Sequence, residues 1–162
     1  MSILTDIGAR SKAAQRTLAK SGGAVIDKAL KAIAAALEKN SQYILEENSK
    51  DIRAARDAGI SEAMIDRLTL TQSRISGMAD GMRQVAASEN PVGKVLWGET
   101  RPNGMKIEKV CVPIGVIAVI FEARPNVTAD AAAICLKAGN SVILKGGKEA
   151  INSNKAVAAV QK

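Results

Sequence analysis

From residue 1 to about residue 88 the apolar positions recur at three- and four-residue intervals, the period of helices that bury one stripe. After Gly22-Gly23, the residues Val25, Ile26, Ala29, Leu30, Ile33 and Leu37 form such a stripe and leave Asp27, Lys28, Lys31 and Glu38 for solvent. A further helix is predicted from Ser41, with Ile44, Leu45, Ile52 and Ala55 inward and Gly59 placed to end it in a left-handed conformation. Ser61 and Thr71 have the residue type and position of N-caps. The first would open a short helix, the second a long one carrying Ile75, Met78, Met82 and Val85 on one face. Residues 1–90 thus read as a helical layer.

The period changes at Asn90-Pro91. Val92 to Glu99 and Met105 to Val112 are β-prone runs flanking Arg101-Pro102-Asn103-Gly104, where proline pre-sets a turn and Asn-Gly tolerates positive φ, so residues 91–112 read as a β-hairpin. The apolar run Val116 to Phe121 has the character of a strand buried on both faces. A helix from about Asn126 to Lys137 ends at Gly139, a second buried strand covers Ser141 to Lys145, and another helix begins near Ala150. Strand, helix, strand, helix over residues 113–162 is the opening of a doubly wound parallel sheet, which makes the class α/β. Two strands begin such a sheet without finishing it, and no internal repeat offers another closure.

Composition narrows the chemistry. Of 162 residues 47% are hydrophobic, but there is one Phe, one Trp and one Tyr, so the core must be aliphatic and bases would find almost no aromatic platform. Lys and Arg outnumber Asp and Glu by 23 to 16, a balance of +7 that suits anionic partners. The cations are scattered, which argues against nucleic acid. With no histidine, His-type zinc sites, Ser-His-Asp triads and Cys-His dyads are excluded within the chain. Cys111 and Cys135 sit in apolar surroundings outside any metal or Cys-x-x-Cys spacing, which suits core positions in a reduced, cytoplasmic protein. The longest uncharged apolar run, Val110 to Phe121, is shorter than the roughly 18 residues of a membrane span. Arg10, Lys12, Arg16 and Lys20 give the start of the chain a faint likeness to a transit peptide, but Asp6 favours an ordinary first helix.

Two loops just past the carboxyl ends of the buried strands are the candidate sites, because open α/β sheets bind ligands there. In Phe121-Glu122-Ala123-Arg124-Pro125-Asn126-Val127-Thr128, polar side chains at a helix start can reach a substrate or hold an oxyanion. The alternative is that Asn126 or Thr128 only caps the helix. In Leu144-Lys145-Gly146-Gly147-Lys148-Glu149, glycines permit close backbone approach and two lysines offer cationic donors to a phosphate-bearing cofactor. This is neither the dinucleotide fingerprint nor a P-loop, and a plain strand-to-helix turn is the alternative.

At these residues the chain resembles a known family. The stretch from Val112 to Thr128, continued by Cys135-Leu-Lys-Ala-Gly-Asn140 and Val142-Ile-Leu-Lys-Gly-Gly147, is similar to the signature of glutamate-5-semialdehyde dehydrogenases within the aldehyde dehydrogenase superfamily. The likeness extends upstream through Asn48-Ser-Lys-Asp51, Gly59-Ile-Ser61, Asp66-Arg-Leu68, Asn90-Pro-Val-Gly93 and Asn103-Gly104. It implies an aldehyde dehydrogenase-like fold whose residues 113–162 open a Rossmann-like domain and whose hairpin serves oligomerisation.

The resemblance also implies NADPH-dependent reduction of gamma-glutamyl phosphate to glutamate 5-semialdehyde in proline synthesis, through a cysteine thiolate that displaces phosphate. That cysteine lies beyond residue 162 in the family, so the chain is expected to be an N-terminal piece, silent by itself. By the same likeness Asn126 would stabilise the oxyanion, Arg124 would hold substrate phosphate or carboxylate with Glu122 positioning it, and Lys145 with Gly146 and Gly147 would bind the cofactor. Lys148 stands where the superfamily carries a glutamate that favours NAD, so NADPH is expected. The family implies a homo-oligomer and allows a partnership with glutamate 5-kinase. Two other readings compete: another acyl-phosphate or aldehyde dehydrogenase, and a non-catalytic basic binding remnant.

Overall fold

The computed structural model of the chain describes residues 2–161. The helical layer comprises α1 (Ile3–Leu18), α2 (Gly23–Lys39), α3 (Ser41–Asp57), α4 (Glu62–Leu68) and α5 (Gln72–Ala87). Strands β1 (Val95–Thr100) and β2 (Lys106–Val110) follow, then β3 (Val116–Ile120), α6 (Asn126–Lys137), β4 (Ser141–Lys145), a 3-10 turn at Lys148–Ala150 and α7 (Ile151–Val160).

The main core lies where α2, α5, α6 and α7 meet. Leu30, Leu37, Ile44, Ile75, Met82 and Val157 are fully buried there, and Ala34, Ala79, Ala129, Ala133 and Ala156 let the helix backbones approach closely. On α2 the buried stripe runs through Ile26, Leu30, Ala34 and Leu37, while Val25 and Ala29 are exposed. Nor do Asp27 and Glu38 simply face solvent. They flank the stripe and take cations from neighbouring helices: buried Lys137 of α6 donates to Asp27 at 2.6 Å and to the Ala86 carbonyl at 3.0 Å, and Arg83 of α5 pairs with Glu38. The Arg83 guanidinium holds the Glu38 carboxyl below its usual range.

The predicted helix ends are largely formed. Gly59 has φ +69°, and the Gly59 and Ile60 N–H groups donate to the last carbonyls of α3, at Arg56 and Ala55. The Thr71 hydroxyl accepts from the Arg74 N–H. Ser61 stands at the N-cap of α4, but its side chain makes no capping bond, and its carbonyl alone receives the Met64 and Ile65 N–H groups.

Two polar residues on the inner face of α3 join the layer to the rest. Asn48 and Asp51 are both 3% exposed. The Asp51 carboxylate accepts from the Asn152 N–H and amide and from the Ser153 N–H and hydroxyl, at 2.6–3.2 Å, so it caps α7 from another helix. Asn48 donates to the Leu68 carbonyl and the Ser153 hydroxyl and accepts from the Leu70 N–H.

Strands β1 and β2 pair antiparallel, with a bulge between Val95 and Trp97 and Gly104 at φ +84° in the turn. Strands β3 and β4 pair parallel in the register Val116↔Ser141 to Ile120↔Lys145. That register is fixed at its start by Asn140, whose side chain accepts from the Gly115 N–H at 2.8 Å. Gly139, at φ +71°, packs so tightly on Pro113 that a Cβ would lie 2.8 Å from its ring. The expectation of full burial is corrected for both parallel strands: no residue of β3 and only Ser141 of β4 is buried, and Ala118 and Ile120, two apart on one face of β3, are exposed, Ile120 at 79%, because no described residue packs over that end of the face. Helix α1 has no buried residue and touches β4, where the Ser141 hydroxyl donates to the Ser11 carbonyl.

Asp51→Ala should cost about 2–4 kcal/mol, because it strips acceptors from four donors, the two of Ser153 buried and the two of Asn152 partly so, and urea unfolding of this chain and the variant measures the difference.

Candidate functional site

The parallel register sets the geometry of the site. With Ile120 opposite Lys145, both strands end at one level, and the Phe121 N–H donates to the Lys145 carbonyl at 3.0 Å. The following loops therefore run side by side: a Cβ on Gly147 would lie 3.4 Å from the Glu122 carbonyl carbon. Along the first loop, residues alternate between core and surface. Ala123 is buried with Ala55, Ile65, Leu68 and Ala150, while Glu122, Arg124 and Asn126 are exposed.

This alternation divides the predicted residues between two clefts. The first, about 410 Å³, is walled by Asp66, Arg67, Thr69 and Arg74 from the α4–α5 region and by Arg124, Asn126 and Asp130. The second, about 750 Å³, is lined by Ile60, Met64, Ile120, Phe121, Glu122, Ala123, Lys145, Gly147 and Glu149. Helix α4 separates them, with Met64 on one side and Asp66 and Arg67 on the other. Arg124 and Asn126 thus share one cleft, whereas Glu122 shares the other with Lys145 and Gly147. The Arg124 N–H donates to the Glu122 carbonyl, but the two side chains face different clefts. Lys148 is exposed between two residues that line the second cleft.

Asn126 is the first residue of α6, behind Pro125 at the N-cap, and its amide donates to Asp130 at 3.0 Å. One of its two amide hydrogens remains for a ligand. The buried Thr128 hydroxyl donates to the side-chain Oδ1 of Asn154. Neither side chain caps α6, so the capping alternative is not what these residues do. The Asn154 amide nitrogen lies over Gly146, where a Cβ would collide with it and press on the Phe121 ring at 3.1 Å. The vacant space at Gly146 is thus filled by protein. At Gly147 it is bordered by the flexible Glu149 carboxylate, which a ligand could displace.

Cys135 is 7% exposed inside α6, and burial pushes its thiol pKa up. Cys111 is half-exposed at the base of the hairpin, where its backbone continues the ladder to Gly93 and Lys94, so its expected core position is corrected. Neither lines either cleft. Sequence reasoning gave no role to Arg67, Asp130 or Glu149. Burial of Ile65 and Leu68 turns Asp66 and Arg67 outward on α4, a signal present in the Asp66-Arg67-Leu68 block.

The arrangement of helical layer, hairpin and parallel strands is aldehyde dehydrogenase-like. An NAD-dependent benzaldehyde dehydrogenase from Corynebacterium glutamicum superposes with a TM-score of 0.67 at 18% identity, over 93% of this chain and 31% of that one. No family model matches the chain. The crystal structure of gamma-glutamyl phosphate reductase from Thermotoga maritima superposes with a TM-score of 0.97 at 37% identity, covering 99% of this chain and 39% of that one. The gamma-glutamyl phosphate reductase of Rhodospirillum rubrum is 54% identical over 155 residues, 96% of this chain and 36% of that protein. The chain is a homologue of the gamma-glutamyl phosphate reductases along its whole length. It spans little more than a third of the length of the curated relatives it matches.

With iodoacetamide near neutral pH, Cys111 should react at least about tenfold faster than Cys135, because burial hides the Cys135 thiol and raises its pKa. Peptide mapping reads the two rates, and faster labelling of Cys135 would contradict its placement.

Proposed function

We propose that the chain forms part of an NADPH-dependent reductase that converts L-glutamyl 5-phosphate to L-glutamate 5-semialdehyde, releasing phosphate, in proline biosynthesis. The observation that carries this reading is the adjacency of the β3–α6 and β4–α7 loops, which sets Arg124 and Asn126 beside one cleft and Lys145 and Gly147 beside its neighbour. The whole-length likeness to gamma-glutamyl phosphate reductases supports it.

In this reading the first cleft takes the acyl phosphate. The remaining Asn126 amide hydrogen stabilises charge growing on the reacting carbonyl oxygen, and Arg124 holds the phosphate through its planar fork of donors. The second cleft fits a nucleotide: Ile60, Met64, Ile120 and Phe121 supply apolar walls and Lys145 a cation at the strand end. NADPH bound there would supply the hydride. Glu122 and Glu149 place two carboxylates in the same cleft, and Lys148, exposed between the lining residues Gly147 and Glu149, adds to Lys145 the second cation that a 2′-phosphate calls for. The thiol nucleophile is neither Cys111 nor Cys135, and the chain alone turns over nothing. Residues 1–90, 91–112 and 113–162 act as helical segment, oligomerisation hairpin and start of the cofactor domain of a soluble cytoplasmic homo-oligomer, which a glutamate 5-kinase could feed directly. The half-exposed Val95, Leu96, Trp97 and Val110 give the hairpin an apolar surface for that purpose.

A protein continuing this chain to the length of its relatives should oxidise NADPH with L-glutamyl 5-phosphate and release phosphate, while the chain alone should read blank. Preference for aspartyl phosphate would defeat the substrate assignment, and turnover by the chain alone would relocate the nucleophile. In the longer protein, Lys148→Glu should shift the ratio of kcat/KM for NADPH and NADH toward NADH by on the order of tenfold. An unchanged ratio would remove Lys148 from cofactor choice.

A further inference from the structure

The cleft beside Asn126 holds more charge than the reaction centre uses. Three guanidinium groups and two carboxylates border it: Arg67, Arg74, Arg124, Asp66 and Asp130. Internal bonds account for three of these. Arg74 donates to the Asp66 and Thr69 carbonyls and pairs with the Asp66 carboxylate at 3.1 Å, and Asp130 accepts from Asn126. The guanidinium groups of Arg67 and Arg124 have no hydrogen-bond or ion-pair partner among the described residues. They come from different elements, Arg67 from α4 and Arg124 from the loop after β3. Two unspent planar cations around a cleft of about 410 Å³ suit a small ligand with two separate anionic groups.

We infer that Arg67 is a substrate-specificity residue that binds the α-carboxylate of a phosphorylated amino acid, while Arg124 binds the phosphoryl end. The inference rests on the reaction proposed above. Its orientation follows from chain distance: Arg124 and Asn126 are two residues apart, and the phosphoryl oxygen is bonded directly to the carbonyl carbon that Asn126 serves. The α-carboxylate lies several bonds away, and the cation on the other wall is Arg67. Arg74, spent on peptide carbonyls, holds the turn between α4 and α5 and so keeps Arg67 in place. Substrate choice by chain length would thus be made by the helical layer, through the separation of α4 from the β3–α6 loop.

The test is an amide-resolved NMR titration of this chain with three probes: L-glutamate, whose side-chain carboxylate stands in for the acyl phosphate, 4-aminobutyrate, which lacks the α-carboxylate, and inorganic phosphate. L-glutamate and phosphate should both move signals from residues 66–68 and 124–130, and 4-aminobutyrate should bind at least about tenfold more weakly than L-glutamate. Arg67→Ala should weaken L-glutamate at least about tenfold and phosphate less than about twofold, with partial recovery in Arg67→Lys; Arg124→Ala should weaken phosphate more. Arg67 is exposed and unpaired, so an unchanged melting temperature will confirm that the variants fold. The inference is overturned if L-glutamate fails to bind, if 4-aminobutyrate binds equally well, or if Arg67→Ala leaves L-glutamate affinity intact. Loss of the L-glutamate response alongside normal turnover by the longer protein would sink the role of Arg67 and spare the reaction. Correct binding with no turnover would do the reverse.

Discussion

The capping of α7 by a carboxylate from α3 is the constraint on which the arrangement of the site depends. A helix start exposes unpaired N–H groups, and at α7 no residue of the preceding turn supplies a side-chain acceptor. Asp51 supplies it across about a hundred residues of chain, with Asn48 completing the contact through Ser153. A two-stranded sheet is marginal by itself, so the position of α7, and of the Gly147–Ala150 segment leading into it, is set from the helical layer. Lys137 does the same for the neighbouring helix, joining α6 to α2 and the end of α5.

From that frame the division into two clefts follows. Helix α4 is short, and Ile65 and Leu68 press against Ala55, Ala123 and Ala150. Because Ala123 is pinned there, its neighbours Glu122 and Arg124 emerge on opposite sides. The loop after β3 therefore serves both clefts by alternation, and Glu122 belongs with Lys145 while Arg124 belongs with Asn126.

Most of the elements were legible because their cores are repetitive. A helix that shows Ile26, Leu30 and Leu37 at helical spacing announces itself, and so do Gly59 and Gly139 at helix ends. What escaped was tertiary and polar. Asn48 and Asp51 fall on the same face as Ile44, Ile52 and Ala55, and a polar pair on an apolar stripe signals buried hydrogen bonding, yet nothing local names α7 as its partner. Asp27 and Glu38 read as solvent-facing because their cations lie on α6 and α5, far along the chain. The candidate site was legible as two loops, since charged residues after apolar strands stand out. That Glu122 and Arg124 would part company was not, because alternation about a buried Ala123 depends on α4.

The glycines after β4 show how structural and ligand demands divide within one motif. Gly146 is required by protein packing, since the Asn154 amide and the Phe121 ring already occupy the place of a side chain. Gly147 meets only a movable carboxylate and neighbouring backbone, so the freedom it leaves is available to a ligand. The same motif therefore locks α7 to the strand end through its first glycine and keeps the cleft open through its second. Support at Gly146, together with the bond from the Phe121 N–H to the Lys145 carbonyl, fixes where the backbone leaves β4 and so limits the ordering entropy that the following turn has to lose.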